Sequence, residues 1–591
     1  MTAETLANVD WKWDENTVAH HTDRYNTKEL VVRRGQPFVL TLTFSRTKPL
    51  GNNLTLIAET DANPDLQAKT RMAFAVSNTL SSSSWSAVQT STDARSVSVS
   101  ISSPPNAIVG RYKLSMTTSS GSSRPDRSLG TVVLLFNPWL AEDDVFMPND
   151  AEREEYVLSE FGLVFSGSAD HISNFGWDYG QFQEDILNIC LTMLDRSRSC
   201  KQDPQGDLAR RNDPKHVSRV LSAMVNSNDD SGVLKGNWSG KYRGGQNPSS
   251  WTGSVDLLRK WKASEFRAVK FGQCWVFAGV LTTVLRCMGV PTRMISNFNS
   301  AHDEDRTLTV DEYYDPSGNY LTMGIDSIWN YHVWNESWFV RPDLGSAYDG
   351  WQILDATPQE RSTGIFQCGP ASVRAIKEGD VDLNYDSPFV FAEVNADRIT
   401  WTYNPSTRES KRLYTETKSV GQFISTKAVG SHTRMDITNN YKYAEEKTLP
   451  IKISYEEYQQ YLTTDNMIHT TALCQVEKEG DILVDRVITL ENPSLTIKVL
   501  GRAKVNEEAR VEVVFTNPLD QEVKDCVLLA EGSDLLVDKI KLDAPPVEAK
   551  RHTIIHFALT PRKYGTKQLL INFSCDRFQD IKAFQTVDVA K

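Results

Sequence analysis

Residues 271–281 read FGQCWVFAGVL, and this stretch decides how the middle of the chain folds. A glycine and a glutamine precede Cys274, and a long apolar run follows it, which predicts a buried helix that begins at the cysteine. The first N–H groups of a helix lack partners and carry partial positive charge, so they favour a thiolate and a developing oxyanion. The stretch therefore predicts either a reactive cysteine or a structural one, since free cysteines are among the most buried residues.

Two further residues supply what a cysteine nucleophile needs. A thiolate requires a histidine as acid and base, and the histidine requires an acceptor that orients it. His332 lies in the tryptophan-rich stretch 329–335, and Asp355 closes the largely apolar stretch 350–355; both stretches predict strands. A carboxylate at the end of an apolar strand is costly to bury without a partner. The residues predict a Cys–His–Asp set, although a histidine between tryptophans is also typical of a protein core.

Composition limits the classes of protein that remain. A chain of 591 residues predicts about three to five domains, and no apolar run approaches the roughly 20 residues that span a bilayer. The net charge of −12 disfavours nucleic acid and anionic membranes as partners. The eight cysteines show no paired spacing, which favours free thiols, and the N-terminus lacks the pattern of a secretory signal. We therefore expect a cytoplasmic protein.

The apolar periodicity divides the chain into four parts. Alternation of period two from residue 30 to 140 predicts that residues 1–140 form a β-sandwich. Mixed helical and strand patterns over 141–445 predict an α+β domain, with a helix over 182–194. Strand alternation returns after it, and a break at Asn492-Pro493 separates 446–492 from 493–591. The last part has the size of one all-β domain, whereas 446–492 is near the lower limit for an independent core. The sequence predicts a multidomain α+β chain.

Five stretches, in this order, resemble the transglutaminases, and specifically the animal tissue and epidermal branch. They are Gly272–Phe277, Asn297–Asp303, Trp329–Glu336, Gly350–Glu360 and Gly369–Val373. The likeness extends from residue 19 nearly to the C-terminus. It implies an N-terminal β-sandwich, a papain-like α+β transglutaminase core and immunoglobulin-like β-barrels at the C-terminus.

The resemblance also implies a reaction. Cys274 would attack a glutamine carboxamide of a protein substrate and release ammonia, and a lysine or polyamine amine, or water, would then take the acyl group. His332 would transfer protons and Asp355 would orient it. Trp238 would supply an indole N–H to the oxyanion, and Trp329 would wall the substrate tunnel with it. A cysteine peptidase would use the same triad logic, but the family stretches do not favour it.

Three oxygen-rich groups match calcium ligands of the family, and hard cations prefer such oxygens. The first comprises Ala223 through its carbonyl, Asn226, Asn228 and Asp230; the second Asp303, Asp305, Thr307, Thr309 and Asp326; the third Asn395, Thr417 and Glu445. An asparagine often stands at the position of Thr307, so a weaker second site is expected. In the third group, Pro450 replaces a second glutamate of the family.

The resemblance fails in one region. Relatives have a loop and a complete β-barrel after the counterpart of Tyr443, whereas here residues 450–455 resume the likeness almost at once. We therefore interpret 446–492 as the remnant of a first barrel. Guanine nucleotide is not expected, because the barrel arginines that hold it are missing and Asp170 and His171 replace a lysine and a phenylalanine. The alternative to an enzyme is a non-catalytic or unstable isoform, in which unpaired strand edges at 451–462 would act as a scaffold.

Overall fold

The structure is a computed structural model that describes residues 6–45, 54–61, 63–118, 126–442, 467–476, 480–489 and 492–591, with the backbone alone for 468–476 and 480–489. Glu445, Pro450 and the segment 451–462 lie outside the described residues. Among the described helices, none combines the length and the apolar character needed to cross a bilayer.

The N-terminal region is a β-sandwich, as the alternation predicted. Its strands follow the order β1-β3-β7-β6-β5-β4-β8-β9-β2, and inward side chains of both layers form one apolar core. The elements are β1 (Leu6–Asp10), α1 (Trp13–Ala19), β2 (Leu30–Arg33), β3 (Phe38–Phe44), β4 (Leu54–Glu59), β5 (Arg71–Ser77), β6 (Ser86–Thr92), β7 (Ser96–Ser102), β8 (Gly110–Thr118) and β9 (Arg127–Leu135).

The helices of the central region surround one long buried helix, α8. They are α2 (Asp150–Arg153), α3 (Ile186–Arg196), α4 (Arg198–Gln202), α5 (Pro204–Arg210), α6 (Pro214–Val225), α7 (Val255–Ala263), α8 (Cys274–Cys287), α9 (Val373–Glu378), α10 (Ser387–Asn395) and α11 (Thr438–Tyr441). A π-helical turn, Glu154–Leu158, follows α2. Every residue of α8 is buried, because helices pack on one side of it and a sheet on the other.

A six-stranded antiparallel sheet, in the order β21-β18-β17-β14-β24-β25, packs against α8. The strands of the central region are β10 (Phe161–Ser168), β11 (His171–Asp178), β12 (Leu234–Gly236), β13 (Val269–Gly272), β14 (Thr292–His302), β15 (Thr309–Tyr314), β16 (Tyr320–Leu321), β17 (Ser327–Phe339), β18 (Gly350–Asp355), β19 (Arg361–Ser362), β20 (Ile365–Phe366), β21 (Cys368–Ser372), β22 (Asp397–Asn404), β23 (Glu409–Glu416), β24 (Gln422–Lys427) and β25 (Arg434–Asp436).

One helix differs from its prediction. The spacing predicted a helix over 182–194, but α3 begins at Ile186. Asp185, directly before it, has a φ of 75°, a left-handed conformation that does not continue an α-helix. Phe182 is nevertheless buried, in edge contact with Tyr25, so its apolar character reflects core packing and not helix membership.

The last region, from residue 492, is a two-layer β domain. Its sheets have the orders β28-β29-β32 and β31-β30-β33-β34, and they enclose their own apolar core. The preceding hairpin is β26 (Met467–Val476) and β27 (Gly480–Thr489); the domain comprises β28 (Leu495–Leu500), β29 (Ala509–Thr516), β30 (Cys526–Glu531), β31 (Ile540–Ala544), β32 (His552–Leu559), β33 (Gly565–Ser574) and β34 (Ile581–Val589).

The last domain docks on the central region through polar contacts near α8. The Ser533 hydroxyl lies 2.8 and 2.7 Å from the two carboxylate oxygens of Asp178, and Thr252 donates to Glu531. The Lys582 ammonium donates to the backbone oxygen of Trp251 at 3.1 Å. Burial, with the nearby charge of Glu531, raises the pKa of Asp178 well above its ordinary value. The interface therefore depends on donors that satisfy a buried carboxyl group.

Ser533→Ala tests this dependence. The change leaves the Asp178 carboxyl without its hydroxyl donor, and an unsatisfied buried acceptor costs about 1–3 kcal/mol. We expect the last domain to become more susceptible to limited proteolysis and the unfolding temperature to fall. Ser494→Ala, at an exposed position of the same domain, is the matched control. Equal protease resistance of the two variants would contradict the prediction.

Candidate active site and calcium sites

Cys274 is the first residue of α8, so the predicted helix start is confirmed. Gln273 before it is extended, with φ −131° and ψ 180°, and its side chain donates to the backbone oxygen of Asn237 at 3.1 Å. The cysteine is only 4% exposed. Because Cys274 is the first residue of the helix, its side chain lies beside N–H groups of the first turn that have no partner within the helix.

His332 and Asp355 lie on neighbouring strands, β17 and β18, as predicted. His332 Nε2 is 2.7 Å from Asp355 Oδ2, and the backbone N–H of Thr357 donates to Asp355 Oδ1 at 2.8 Å. The carboxylate only accepts, so Nε2 carries the proton of this bond and Nδ1 is left for the cysteine. The Cys274 side chain is among the neighbours that raise the pKa of His332, so the two side chains lie close together. The fold thus assembles the three residues that the sequence singled out.

The electrostatics of the group favour an imidazolium. Burial lowers the pKa of His332, but the charge of Asp355 and its hydrogen bond outweigh burial, and the pKa lies well above its ordinary value. Glu393 adds to this effect, with Oε1 3.6 Å from His332 Nε2. Burial raises the pKa of Glu393 itself to about 8.

Asn335 joins the strand of the histidine to the helix of the cysteine. Its side-chain amide donates to the backbone oxygen of Ala278 at 2.9 Å and to Thr282 Oγ1 at 2.7 Å, both on α8. Asn335 is fully buried. The bonds fix the separation of β17 and α8, and with it the approach of His332 to Cys274.

Sequence reasoning missed two residues of the group, Gln359 and Glu393. Gln359 Nε2 lies 3.0 Å from Asp355 Oδ2 and 2.9 Å from Glu393 Oε1. Gln359 falls within the family-like stretch 350–360, so a signal for it was present. Glu393 lies in α10 and reaches the histidine only through the tertiary fold.

The two tryptophans expected at the substrate tunnel, Trp238 and Trp329, lie together. The rings of Trp238 and Trp329 meet edge to face at 6.1 Å, and Trp238 stacks on Phe277 of α8 at 6.3 Å. Trp238 is 38% exposed, whereas Nε1 of Trp329 is buried and has no hydrogen-bond partner among the described residues. Gly236 makes room for the indole of Trp238, since a Cβ there would lie 2.4 Å from its ring.

The fold brings the second calcium group together. Carboxylate oxygens of Asp303, Asp305 and Asp326 lie within 4.8 Å of one another. Thr307 Oγ1 is 2.7 Å from Asp305 Oδ1 and 2.9 Å from Thr309 Oγ1. Burial raises the pKa of both Asp303 and Asp326. Asp303, Asp305, Thr307 and Thr309 therefore share one oxygen-rich loop, and Asp326 approaches it from the segment before β17, where its Oδ1 accepts the backbone N–H of Glu304 at 3.0 Å.

The first group lies at the end of α6. Asn226 is buried, and its Oδ1 accepts the backbone N–H of Asn228 at 3.1 Å. Asp230 Oδ1 is buried without a hydrogen-bond partner among the described residues, and burial raises the pKa of Asp230 to about 6. Ala223 is buried in the last turn of the helix. The orphaned carboxylate oxygen is what a cation site requires.

The third group is described only in part. Asn395 is the last residue of α10, and Thr417 follows β23. Arg398 of β22 pairs with Glu416 of β23, so Asn395 and Thr417 lie at the same end of this hairpin. Glu445, the third residue, lies outside the described residues.

Comparison with known proteins agrees with this geometry. Family models match residues 7–119 (transglutaminase family), 245–356 (transglutaminase-like superfamily) and 493–591 (transglutaminase family, C-terminal ig like domain). The structure is similar to the crystal structure of red sea bream transglutaminase, with a TM-score of 0.90 and 33% identity over 100% of both chains.

The chain belongs to the transglutaminase family. Within the family it is 48% identical to protein-glutamine gamma-glutamyltransferase E of Bos taurus, over 99% of this chain and 100% of that protein. It is 45% identical to the protein of the same name from Homo sapiens, over 100% of both. The expected resemblance and fold class are thereby confirmed.

Asp355→Asn tests the origin of the imidazolium. The change keeps the shape but removes the charge that raises the pKa of His332, so that pKa should fall towards its ordinary value. The wild-type histidine is protonated at a pH below its raised pKa, so the protonated fraction of His332 at neutral pH should be smaller in the variant. An NMR titration of the His332 ring protons measures it. An unchanged titration would assign the charge effect to Glu393 instead.

Proposed function

We propose that this chain is a calcium-dependent protein-glutamine gamma-glutamyltransferase that acts through a thioester at Cys274. The observation that carries the proposal is a cysteine at the first position of a buried helix, next to a histidine that an aspartate holds at 2.7 Å and whose pKa the cysteine side chain helps to raise. The names of the relatives support the same reaction.

In the first half-reaction, the Cys274 thiolate attacks the side-chain carboxamide carbon of a glutamine. The tetrahedral oxyanion receives hydrogen bonds from N–H groups at the start of α8 and from the indole N–H of Trp238. The C–N bond then breaks, the His332 imidazolium gives its proton to the leaving nitrogen, and ammonia departs. The product is a thioester, with His332 now neutral and able to act as a base.

In the second half-reaction, a lysine or polyamine amine attacks the thioester carbon. His332 takes the amine proton, the C–S bond breaks, and the Cys274 thiolate is restored beside an imidazolium. Water can replace the amine and yield glutamate, so deamidation is the side reaction. Trp238 and Trp329 would wall the approach to the thioester, and their apolar faces would favour an amine stem over bulk water.

Calcium fits the oxygen groups. The carboxylates of Asp303, Asp305 and Asp326 would hold one ion with the hydroxyls of Thr307 and Thr309, and a second would bind at Asn226, Asn228, Asp230 and the Ala223 carbonyl. Bound calcium would supply positive charge that neutralises clustered carboxylates and orders their loops. Asn395 and Thr417 would contribute to a third site with Glu445.

We also propose that the chain has three domains, 1–140, 141–445 and 493–591. Residues 446–492, between the second and the third, would be the remnant of a first C-terminal barrel. The alignments with the relatives extend over 689 to 696 positions, whereas the chain has 591 residues, so about 100 positions of each relative face a gap. The match to the C-terminal ig like domain of the family begins at residue 493. Loss of the barrel would remove a restraint on Cys274, and the alternative of a non-catalytic scaffold has less support.

Amine incorporation tests the proposal. The purified full chain should attach a fluorescent primary amine to a glutamine-bearing protein in the presence of calcium and lose this activity with a chelator. Cys274→Ala should abolish the reaction, because no thioester forms, and should leave calcium binding unchanged. Cys526→Ala, at a buried cysteine of the last domain, is the control and should retain activity. Absence of both labelling and thioester in calcium-loaded protein would favour the scaffold.

Asp305→Asn tests the second calcium group. Asp305 is exposed and its carboxylate accepts the hydroxyl of Thr307 within the loop, so the fold should survive. Losing one carboxylate ligand should weaken calcium binding at this site about tenfold or more, as measured by calorimetry. Asp315→Asn, in an exposed turn outside the group, should bind calcium like the wild type. Equal affinities in both variants would remove Asp305 from the ligand set.

A further inference from the structure

We propose that Gln359 is a positioning residue that holds Asp355 in line with His332. It acts on the catalytic group, by which we mean Cys274, His332 and Asp355, and the inference rests on the proposed function. The Gln359 carboxamide nitrogen lies 3.0 Å from Asp355 Oδ2, 3.0 Å from His332 Nε2 and 2.9 Å from Glu393 Oε1. It has two N–H bonds to give to these three atoms. Their assignment follows from what each atom can accept.

His332 Nε2 is not an acceptor, because it already donates to Asp355 Oδ2 at 2.7 Å. The two N–H bonds of Gln359 therefore go to Asp355 and to Glu393. Asp355 Oδ2 receives both the histidine and the glutamine, and Oδ1 receives the backbone N–H of Thr357. Three donors fix the plane of the Asp355 carboxylate, and of these the glutamine is the one that also donates to Glu393.

Gln359 is itself held on both sides. Its backbone N–H donates to the backbone oxygen of Thr357 at 2.8 Å. Glu393, its other partner, is 1% exposed, and its backbone oxygen accepts from the Asn297 side chain at 2.9 Å. Asn297 faces His332 across the β14–β17 pair. The glutamine thus connects the aspartate to the strand that borders the histidine strand.

Gln359 would act through Asp355 and not on substrate. It contacts the Nε2 side of the imidazole, which leaves Nδ1 for Cys274. Without the carboxamide, the Asp355 carboxylate can rotate away from the histidine, and the thiolate–imidazolium pair loses its fixed partner. A small misplacement of an orienting group commonly costs one or two orders of magnitude in rate.

The test measures alkylation of Cys274 by iodoacetamide at neutral pH in the full chain, a reaction that does not require transferase activity. Gln359→Leu should slow alkylation about tenfold and lower kcat for amine incorporation by a similar factor, with the KM for the glutamine substrate unchanged. Gln367→Leu is the matched control: its side chain bonds to Ser362 and Thr363, outside the catalytic group, and it should react at the wild-type rate.

A double-mutant cycle separates positioning from a general structural effect. In the Asp355→Asn background, Gln359→Leu should slow alkylation less than about twofold, because the residue through which it acts is already altered. Additive losses, an unchanged rate, or an equal loss in Gln367→Leu would each overturn the proposal. Gln359→Met, which keeps an unbranched side chain, repeats the cycle if the leucine variant does not fold. If iodoacetamide alkylates Cys274 of the wild type but the protein incorporates no amine, the proposed function fails. The double-mutant cycle still decides the role of Gln359 in that case.

Discussion

The architecture depends on the complete burial of α8, because the residue that must react is the first residue of a helix that has no exposed side chain. Each end of this helix is held by another part of the chain. At its C-terminal end, the Tyr25 hydroxyl donates to the backbone oxygen of Cys287 at 2.8 Å. Before its N-terminal end, the Trp251 indole donates to the backbone oxygen of Phe271 at 2.9 Å. Trp251 in turn accepts from Lys582 of the last domain, so the sandwich region and the last domain both support the same helix.

The antiparallel pair β14–β17 connects the catalytic group to the second proposed calcium site. Asp303 follows β14 and Asp326 precedes β17, so the two strands meet at this site where His302 pairs with Ser327. His332 lies five residues further along β17, about 17 Å away at the usual rise of a strand. A cation that draws Asp303 and Asp326 together would therefore brace the same pair of strands that carries the histidine.

Much of this could be predicted from the sequence, because the decisive features are local. The helix start at Cys274, the strands of His332 and Asp355 and the oxygen-rich loop 303–309 each follow from residue types within about ten positions. The prediction of a helix at Phe182 was wrong, since one left-handed residue, Asp185, outweighs a favourable apolar spacing. Glu393 and the Asp178–Ser533 contact could not be found in this way, because residues far apart in the chain meet there only in the folded protein.

The buried position of α8 has a consequence for how such a protein can change its choice of substrate. A side chain on this helix can vary little, because each one fills space in the common core, and a change in volume lowers stability. Trp238 differs, since it is more than a third exposed and precedes the helix on a separate segment. Divergence in substrate preference should therefore accumulate in the walls around the nucleophile, while the helix that presents it stays nearly constant through evolution.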